Sequence, residues 1–295
     1  MAHLTMLSEM MGGELPAAIE RLAGLGIRHL DLKGGVFGRN IAELDDAQNE
    51  RLAALVASAN MEVYCFSSVL GRWSIDAVGE REFRERLVGG VRCVLATARC
   101  VRPALVRLLG CTFAARADVA DANDYLAAKA PWVYAAYGEA IAALREGGLA
   151  VTIENEPGSI FTHPVETLGF FARLACPDAV GFTWDVQNMW QSGTLPSLAV
   201  YEALRPIVNY VHLKGGCGRR AAPDTLAYRT TLAQASWPVA EIVAAVLADG
   251  VSPVLCLNPP HGRDPSAVLG APPGLEPYAP QRDVAFLRAT FPEIE

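Results

Sequence analysis

No uninterrupted apolar run in the chain reaches the roughly 18 residues that a bilayer-crossing helix needs. No CxxC pair occurs either. The seven cysteines, Cys65, Cys93, Cys100, Cys111, Cys176, Cys217 and Cys256, are odd in number and scattered. That pattern argues against a disulfide framework and for reduced thiols acting as small apolar residues. No basic block interrupts a chain of formal net charge −7, so neither a phosphate backbone nor a membrane surface is expected as a partner. No GxGxxG follows the first apolar segment, which removes the dinucleotide-binding fingerprint. The opening stretch MAHLTMLSEMMGG has no basic region ahead of an apolar one. No signal peptide is therefore expected, and the expected location is cytoplasmic. Histidine is scarce, with five in all.

What is present is a regular alternation. Hydrophobic residues make up 52% of 295 residues, enough for a large core. Short apolar segments predict strands at His3–Met6, Ile27–Lys33, Glu62–Ser67, Ala104–Leu109, Leu149–Glu154, Val180–Asp185, Val208–Leu213 and Pro253–Asn258. Helical patterns lie between them. AELDDAQNERLAALVASAN carries Leu44, Leu52, Leu55 and Val56 near helical spacing, with Asp45 and Asp46 at its first turn. AAKAPWVYAAYGEAIAALREGG reads as one helix stopped by Gly147 and Gly148. SWPVAEIVAAVLADG reads as a helix with a Ser cap, closing on Gly250. No internal repeat or linker divides the chain, so residues 1–295 are expected to form one domain. Eight strands alternating with eight helices predict parallel strands and a closed (β/α)8 TIM barrel, an α/β fold. A doubly wound open sheet is the alternative.

Such barrels place their sites at the C-terminal ends of the strands. There the predicted strands end on HLDLKGG, VTIENEPG, GFTWDVQN, YVHLKGG and LCLNPPH. Residues two apart share a face, so Asp31 points with Lys33 and His212 with Lys214. Glu154, Asp185 and His212 end three consecutive strands. Two carboxylates and an imidazole on one rim suit a divalent ion, Mn, Mg, Co or Zn, without choosing among them.

At these motifs the sequence resembles the sugar phosphate isomerase/epimerase superfamily, the xylose-isomerase-like barrels. The resemblance spans nearly the whole chain. It is carried by DLKGGVFGRNIAELDDAQNERLAALV, SSVLGRW, VTIENEPGSIFTHPVETL, FTWDVQNMWQSG, LRPIVNYVHLKGG and LCLNPPHG. It implies a metal held by Glu154, Asp185 and His212, with a fourth position that falls on Asn258 where the family carries a glutamate. Two metal-bound glutamates on opposite faces of the substrate serve epimerases of this type as acid and base. An amide cannot take a proton in that range, although its carbonyl oxygen can still meet a metal. Glu154 thus stays as a candidate base without its partner, and two-base epimerisation is expected to be impaired. Glu154 and Asp185 alone balance a dication, so the ion should be a stronger Lewis acid that favours an anionic or enolate-like ligand.

Further rim candidates are Lys33, Arg107 and Lys214, which could hold substrate oxygens or phosphate, or serve as ordinary salt-bridge partners. Asn188 matches the WDxxN pattern of one branch of the superfamily and is placed to bond substrate hydroxyls. Trp73, Trp184 and Trp190 are candidates for an apolar wall against a sugar ring. Arg219 and Arg220 lie in GGCGRRAAPDT, a stretch with the look of a mobile loop, and resemble a family position that contacts substrate, while His163 lies in a loop that could cover the site. His261, past two prolines, is open to a role as replacement acid/base, substrate ligand or metal ligand. The expected activity is that of a metal-dependent isomerase or epimerase acting on a carbohydrate by enolisation. The alternatives are a one-base lyase or dehydratase on a keto-sugar, and a non-catalytic sugar-binding subunit, with a homo-oligomer possible in each. A nuclease of the same barrel type is disfavoured, since such sites need several more histidine ligands.

Overall fold

A computed structural model describes residues 1–174, 176–258 and 279–295. The strands are β1 (His3–Met6), β2 (His29–Leu32), β3 (Glu62–Ser67), β4 (Leu105–Leu109), β5 (Ala150–Glu154), β6 (Gly181–Asp185), β7 (Val208–Leu213), β8 (Gly215–Arg219), β9 (Ala222–Thr230) and β10 (Val254–Leu257). Eight of them form one sheet in the order β1-β10-β7-β6-β5-β4-β3-β2, each neighbouring pair parallel. The seam between β1 and β2 is held by one parallel bridge, Leu7 with Asp31, and by Thr5 Oγ1 donating to the His29 carbonyl at 2.7 Å. The result is a nearly closed (β/α)8 barrel, and the open doubly wound sheet is excluded. Among the described residues no helix is long and apolar enough to cross a membrane.

The strands are buried on both faces, which is why they read as continuous apolar runs. Their two faces differ in chemistry. Leu30, Phe66, Val106, Ile153, Phe182 and Leu255 alternate with Asp31, Ser67, Arg107, Glu154, Thr183 and Cys256. The second set lies inside the barrel, because its members touch across strands that are not neighbours. Tyr210 Oη on β7 donates to Asp31 Oδ2 on β2 at 2.8 Å. The barrel core is thus polar, and the apolar core lies between the sheet and its helices.

The helices follow local rules with two departures. α2 (Asp46–Ser58) begins with a capping box: Asp45 accepts from Gln48 N, and the Gln48 side chain accepts from Asp45 N. The long pattern before Gly147 breaks into α4 (Ala122–Lys129) and α5 (Trp132–Glu146). Pro131 pushes Ala130 out of the helical region, to φ −148° and ψ 55°. α9 (Val239–Asp249) ends on Gly250 at φ 64°, but its N-cap position is Pro238. Ser236, expected as that cap, accepts instead from Gly218 N at 2.9 Å.

That bond belongs to the main addition to the barrel. The segment read as a mobile loop after β7 is an antiparallel hairpin of β8 and β9. It is fastened to α7 (Val186–Gln191), the short helix that follows β6. Trp190 Nε1 donates to the Pro223 carbonyl at 3.0 Å and Gln187 Nε2 to the Gly215 carbonyl at 2.7 Å.

Candidate metal centre

Parallel strands of one polarity deliver their last residues to one rim. Glu154 ends β5, Asp185 ends β6 and pairs in register with His212 of β7, and Asn258 follows β10. Their burial is complete or nearly so. His212 Nδ1 lies 3.0 Å from Glu154 Oε1 and 3.9 Å from Asp185 Oδ2. Asn258 Nδ2 donates to Asp185 Oδ2 at 3.1 Å and lies 3.4 Å from His212 Nδ1. The four predicted ligands therefore meet at one point.

Each carboxylate is fixed by its own partners. Asp185 is the N-cap of α7, its Oδ1 accepting from Gln187 N at 3.1 Å and Asn188 N at 2.9 Å. Its backbone is clamped by Asn155, which accepts from Asp185 N and donates to the Asp185 carbonyl, both at 2.8 Å. Lys214 Nζ reaches Asp185 Oδ2 at 2.7 Å and donates to Asn188 Oδ1 at 3.0 Å. Glu154 Oε2 forms an ion pair with Arg107 Nη1, and Arg107 Nη2 donates to the carbonyls of Ser67 and Ser68 at 3.0 Å. Burial opposes the charge on Glu154, but Arg107, then His212 and Lys214, outweigh it and hold the carboxyl below the usual range. Arg107 and Lys214 thus neutralise both ligand carboxylates. The expected balance of two free negatives against a dication does not hold, because the rim supplies two cations of its own.

The donor set fits a divalent ion. One ligand atom each of Glu154, Asp185 and His212 lies within 4.8 Å of the others. Both Glu154 oxygens, though ion-paired, lack a hydrogen bond, and Asn258 Oδ1 is buried without a partner. Behind the imidazole, His212 Nε2 lies 3.8 Å from Asp31 Oδ2, too far for a hydrogen bond, and has no hydrogen-bond partner.

Asp31 carries its own prediction. Burial pushes its carboxyl above the usual range, and His212, Arg107, Ser67 and Tyr210 only partly offset this. A carboxyl raised in the fold favours the native state at low pH and weakens it as pH rises from the ordinary value through the folded one. Asp31→Asn, which keeps an acceptor for Tyr210, is expected to raise the unfolding free energy at neutral pH and flatten its decline from acid. Urea unfolding across that range checks it, and an unchanged pH slope would contradict it.

The remaining candidates divide. Asn188 is drawn into the cluster, donating to the Asn155 carbonyl at 2.9 Å. Arg107 is consumed by Glu154 and backbone carbonyls, so it positions the cluster. Lys33 is paired with Glu9 at 3.4 Å. Trp184 is fully buried and stacked on Tyr201 of α8 (Leu198–Leu204), centroids 6.1 Å apart. Asp185 points inward, so its neighbour on the strand must face the helices, and Trp184 is core and not a sugar-stacking wall. Trp190 lies buried under the hairpin, and Trp73 packs edge-on against Phe83 at 5.2 Å. His163 caps α6 (Pro164–Arg173), accepting from Glu166 N at 3.4 Å. Arg219 and Arg220 sit exposed at the turn of the hairpin. His261 lies outside the described residues.

Asp31, Asn155 and Tyr210 join the site, and Arg229 lies on the hairpin packed on α7, without having been singled out as site residues. A signal existed for the first two: an aspartate inside an apolar strand, and an amide directly after Glu154. Tyr210 and Arg229 carried none, since only closure of the barrel and folding of the hairpin bring them near.

No protein-family model matches the chain, and no curated protein matches it. Solved structures match its fold across nearly the whole length. A xylose isomerase-like TIM barrel protein from Mycobacterium smegmatis, in complex with magnesium, is 14% identical with a TM-score of 0.71, covering 98% of this chain and 96% of that one. A probable 3-DHS dehydratase from Bacillus anthracis is 14% identical with a TM-score of 0.70, covering 97% and 98%. A D-psicose 3-epimerase from Clostridium cellulolyticum H10, solved with D-tagatose, is 13% identical with a TM-score of 0.62, covering 90% and 86%. The chain therefore has the fold of the xylose-isomerase-like TIM barrels.

Proposed function

We propose that the chain is a divalent-metal-dependent enzyme that removes a proton beside the carbonyl of a keto-sugar or related polyol and finishes the reaction with one carboxylate. Asn258 carries the reading. Its amide occupies the fourth position of the cluster, 3.1 Å from Asp185 and 3.4 Å from His212, where a second base would stand. The likeness in fold to an epimerase and a dehydratase supports the substrate class.

Glu154, Asp185, His212 and Asn258 Oδ1 are the groups to hold Mn, Mg, Co or Zn. That ion would polarise the substrate carbonyl and acidify the adjacent C–H. Glu154 Oε2 is committed to Arg107, so proton transfer falls to Oε1, the oxygen that lies 3.0 Å from His212 Nδ1. Arg107 keeps Glu154 ionised, so the base is always available though intrinsically weak. Lys214, the most exposed group of the cluster at 11%, is placed to bond a substrate hydroxyl. Delivery of that proton on the same face to the former carbonyl carbon, with a proton moving from one oxygen to the other, gives isomerisation; its delivery to a departing β-hydroxyl gives water and a dehydrated product. Both need one base, whereas inversion at carbon needs two.

The test pairs calorimetric titration with MnCl2 and NMR of ketoses held with the protein in D2O. One ion per chain, with deuterium entering beside the carbonyl without inversion or an unsaturated product forming, is expected. Failure to bind any divalent ion, or rapid epimerisation by the unmodified protein, overturns the proposal.

A further inference from the structure

The cations that flank the cluster are paired. Arg107 meets Glu154, Lys214 meets Asp185, Lys33 meets Glu9, and Arg72 lies 3.7 Å from Glu156. Arg229 differs. Among the described residues its guanidinium forms no ion pair, and its Nε, like that of Arg107, is buried without a hydrogen-bond partner. The charged group whose field it feels is Asp185.

The hairpin explains that placement. Arg229 on β9 stands opposite Gly216 on β8, and directly opposed residues of an antiparallel pair share a face. A Cβ on Gly216 would lie 3.0 Å from Gln187 Nε2 and 3.2 Å from Trp190. That face therefore looks onto α7, the helix capped by Asp185. The next pair, Cys217 and Tyr228, occupies the other face. Because α7 fastens the hairpin at Gly215 and Pro223, Arg229 is held on the hairpin face turned toward α7, the helix that Asp185 caps.

A half-buried guanidinium with a desolvated, unpartnered N–H is costly unless something completes it. We propose that Arg229 is the specificity residue of this site and takes a carboxylate of the substrate, so that the substrate is a polyhydroxy keto acid. The proposal deepens the metal-centre reading and rests on it for the position of the reacting carbonyl. Two observations favour an acid over a neutral sugar. Both ligand carboxylates are already neutralised by Arg107 and Lys214, so a dication leaves surplus positive charge that an anionic substrate offsets. A single guanidinium fork also matches a planar carboxylate two bonds at a time. A phosphate would draw on further donors, and the Gln187 and Asn188 N–H groups nearby are already taken by Asp185.

The test uses one ketose frame in three charge states: D-fructose, D-fructuronate and D-fructose 6-phosphate. Binding to the full chain is measured by calorimetry with MgCl2 present, and repeated after chelation. D-fructuronate is expected to bind at least about tenfold more tightly than D-fructose, the worth of one charge-assisted pair. Arg229→Gln is expected to abolish that preference, and Arg229→Lys, which keeps the charge but not the fork, to retain part of it. Arg81→Gln, on an exposed helix face, removes the same net charge and is expected to keep it. If the glutamine variant does not fold, the lysine variant decides: an undiminished preference overturns the proposal. So does equal or absent binding of D-fructose and D-fructuronate, or a preference for the phosphate. Protein that binds no divalent ion yet still prefers the acid through Arg229 overturns the metal centre and upholds this assignment.

Discussion

Arg107→Met is expected to cost about 3–5 kcal/mol of stability, because it leaves Glu154 as a buried charge without its main partner. Both side chains are 1% exposed, so water screens neither. Glu154→Gln should cost a comparable amount by stranding Arg107, and, with Glu154 as the proposed base, should also lower turnover by about 10²–10⁴-fold. The double variant should lose much less than the sum, since it removes both charges together. The pH dependence separates this pair from general packing damage. Glu154 is depressed in the fold, so its contribution is present above its ordinary value of 4.5 and is lost as pH falls below it. Arg107→Met should remove that acid-side loss, leaving a flatter curve. Urea unfolding of the four proteins across pH checks the coupling, and additive losses would show that the pair does not act as a unit.

Asn258→Glu should reverse two properties at once. Without metal it places a third carboxylate beside Asp185 and removes the donor that now reaches Asp185 Oδ2 and His212, costing about 1–3 kcal/mol. With metal it adds an anionic ligand, and affinity for Mn2+ or Mg2+ should rise by about tenfold or more. It also supplies a second proton-transferring group, so ketose epimerisation should appear where the unmodified protein shows little. Calorimetry and NMR of the product mixture read the two effects separately. A variant that binds metal no more tightly would remove Asn258 from the ligand set.

How far the sequence reaches can be judged residue by residue. Each barrel strand lies within two residues of its expected ends, because a parallel strand buried on both faces leaves a continuous apolar run bounded by polar groups. Glu154, Asp185, His212 and Asn258 were legible for the same reason: they are the polar residues on which such runs stop, and parallel strands send those stops to one rim. Trp184 was misassigned because strand parity, not chemistry, decides which side a residue faces. The stretch Gly215–Thr230 was missed as strand because its glycines and polar residues carry no strand period, and its pairing is set by contacts with α7.

By itself the sequence determined the alternation of elements, hence the barrel, and which groups could ligate an ion, since both follow from local pattern and strand polarity. Only the tertiary structure decided the charge of the site and what stands over it. Arg107 and Glu154 lie on neighbouring strands yet 47 residues apart in number, Tyr210 meets Asp31 across the barrel, and Arg229 arrives on a hairpin folded over α7. Ion pairing depends on distances of a few ångströms between distant segments, and no spacing along the chain encodes those.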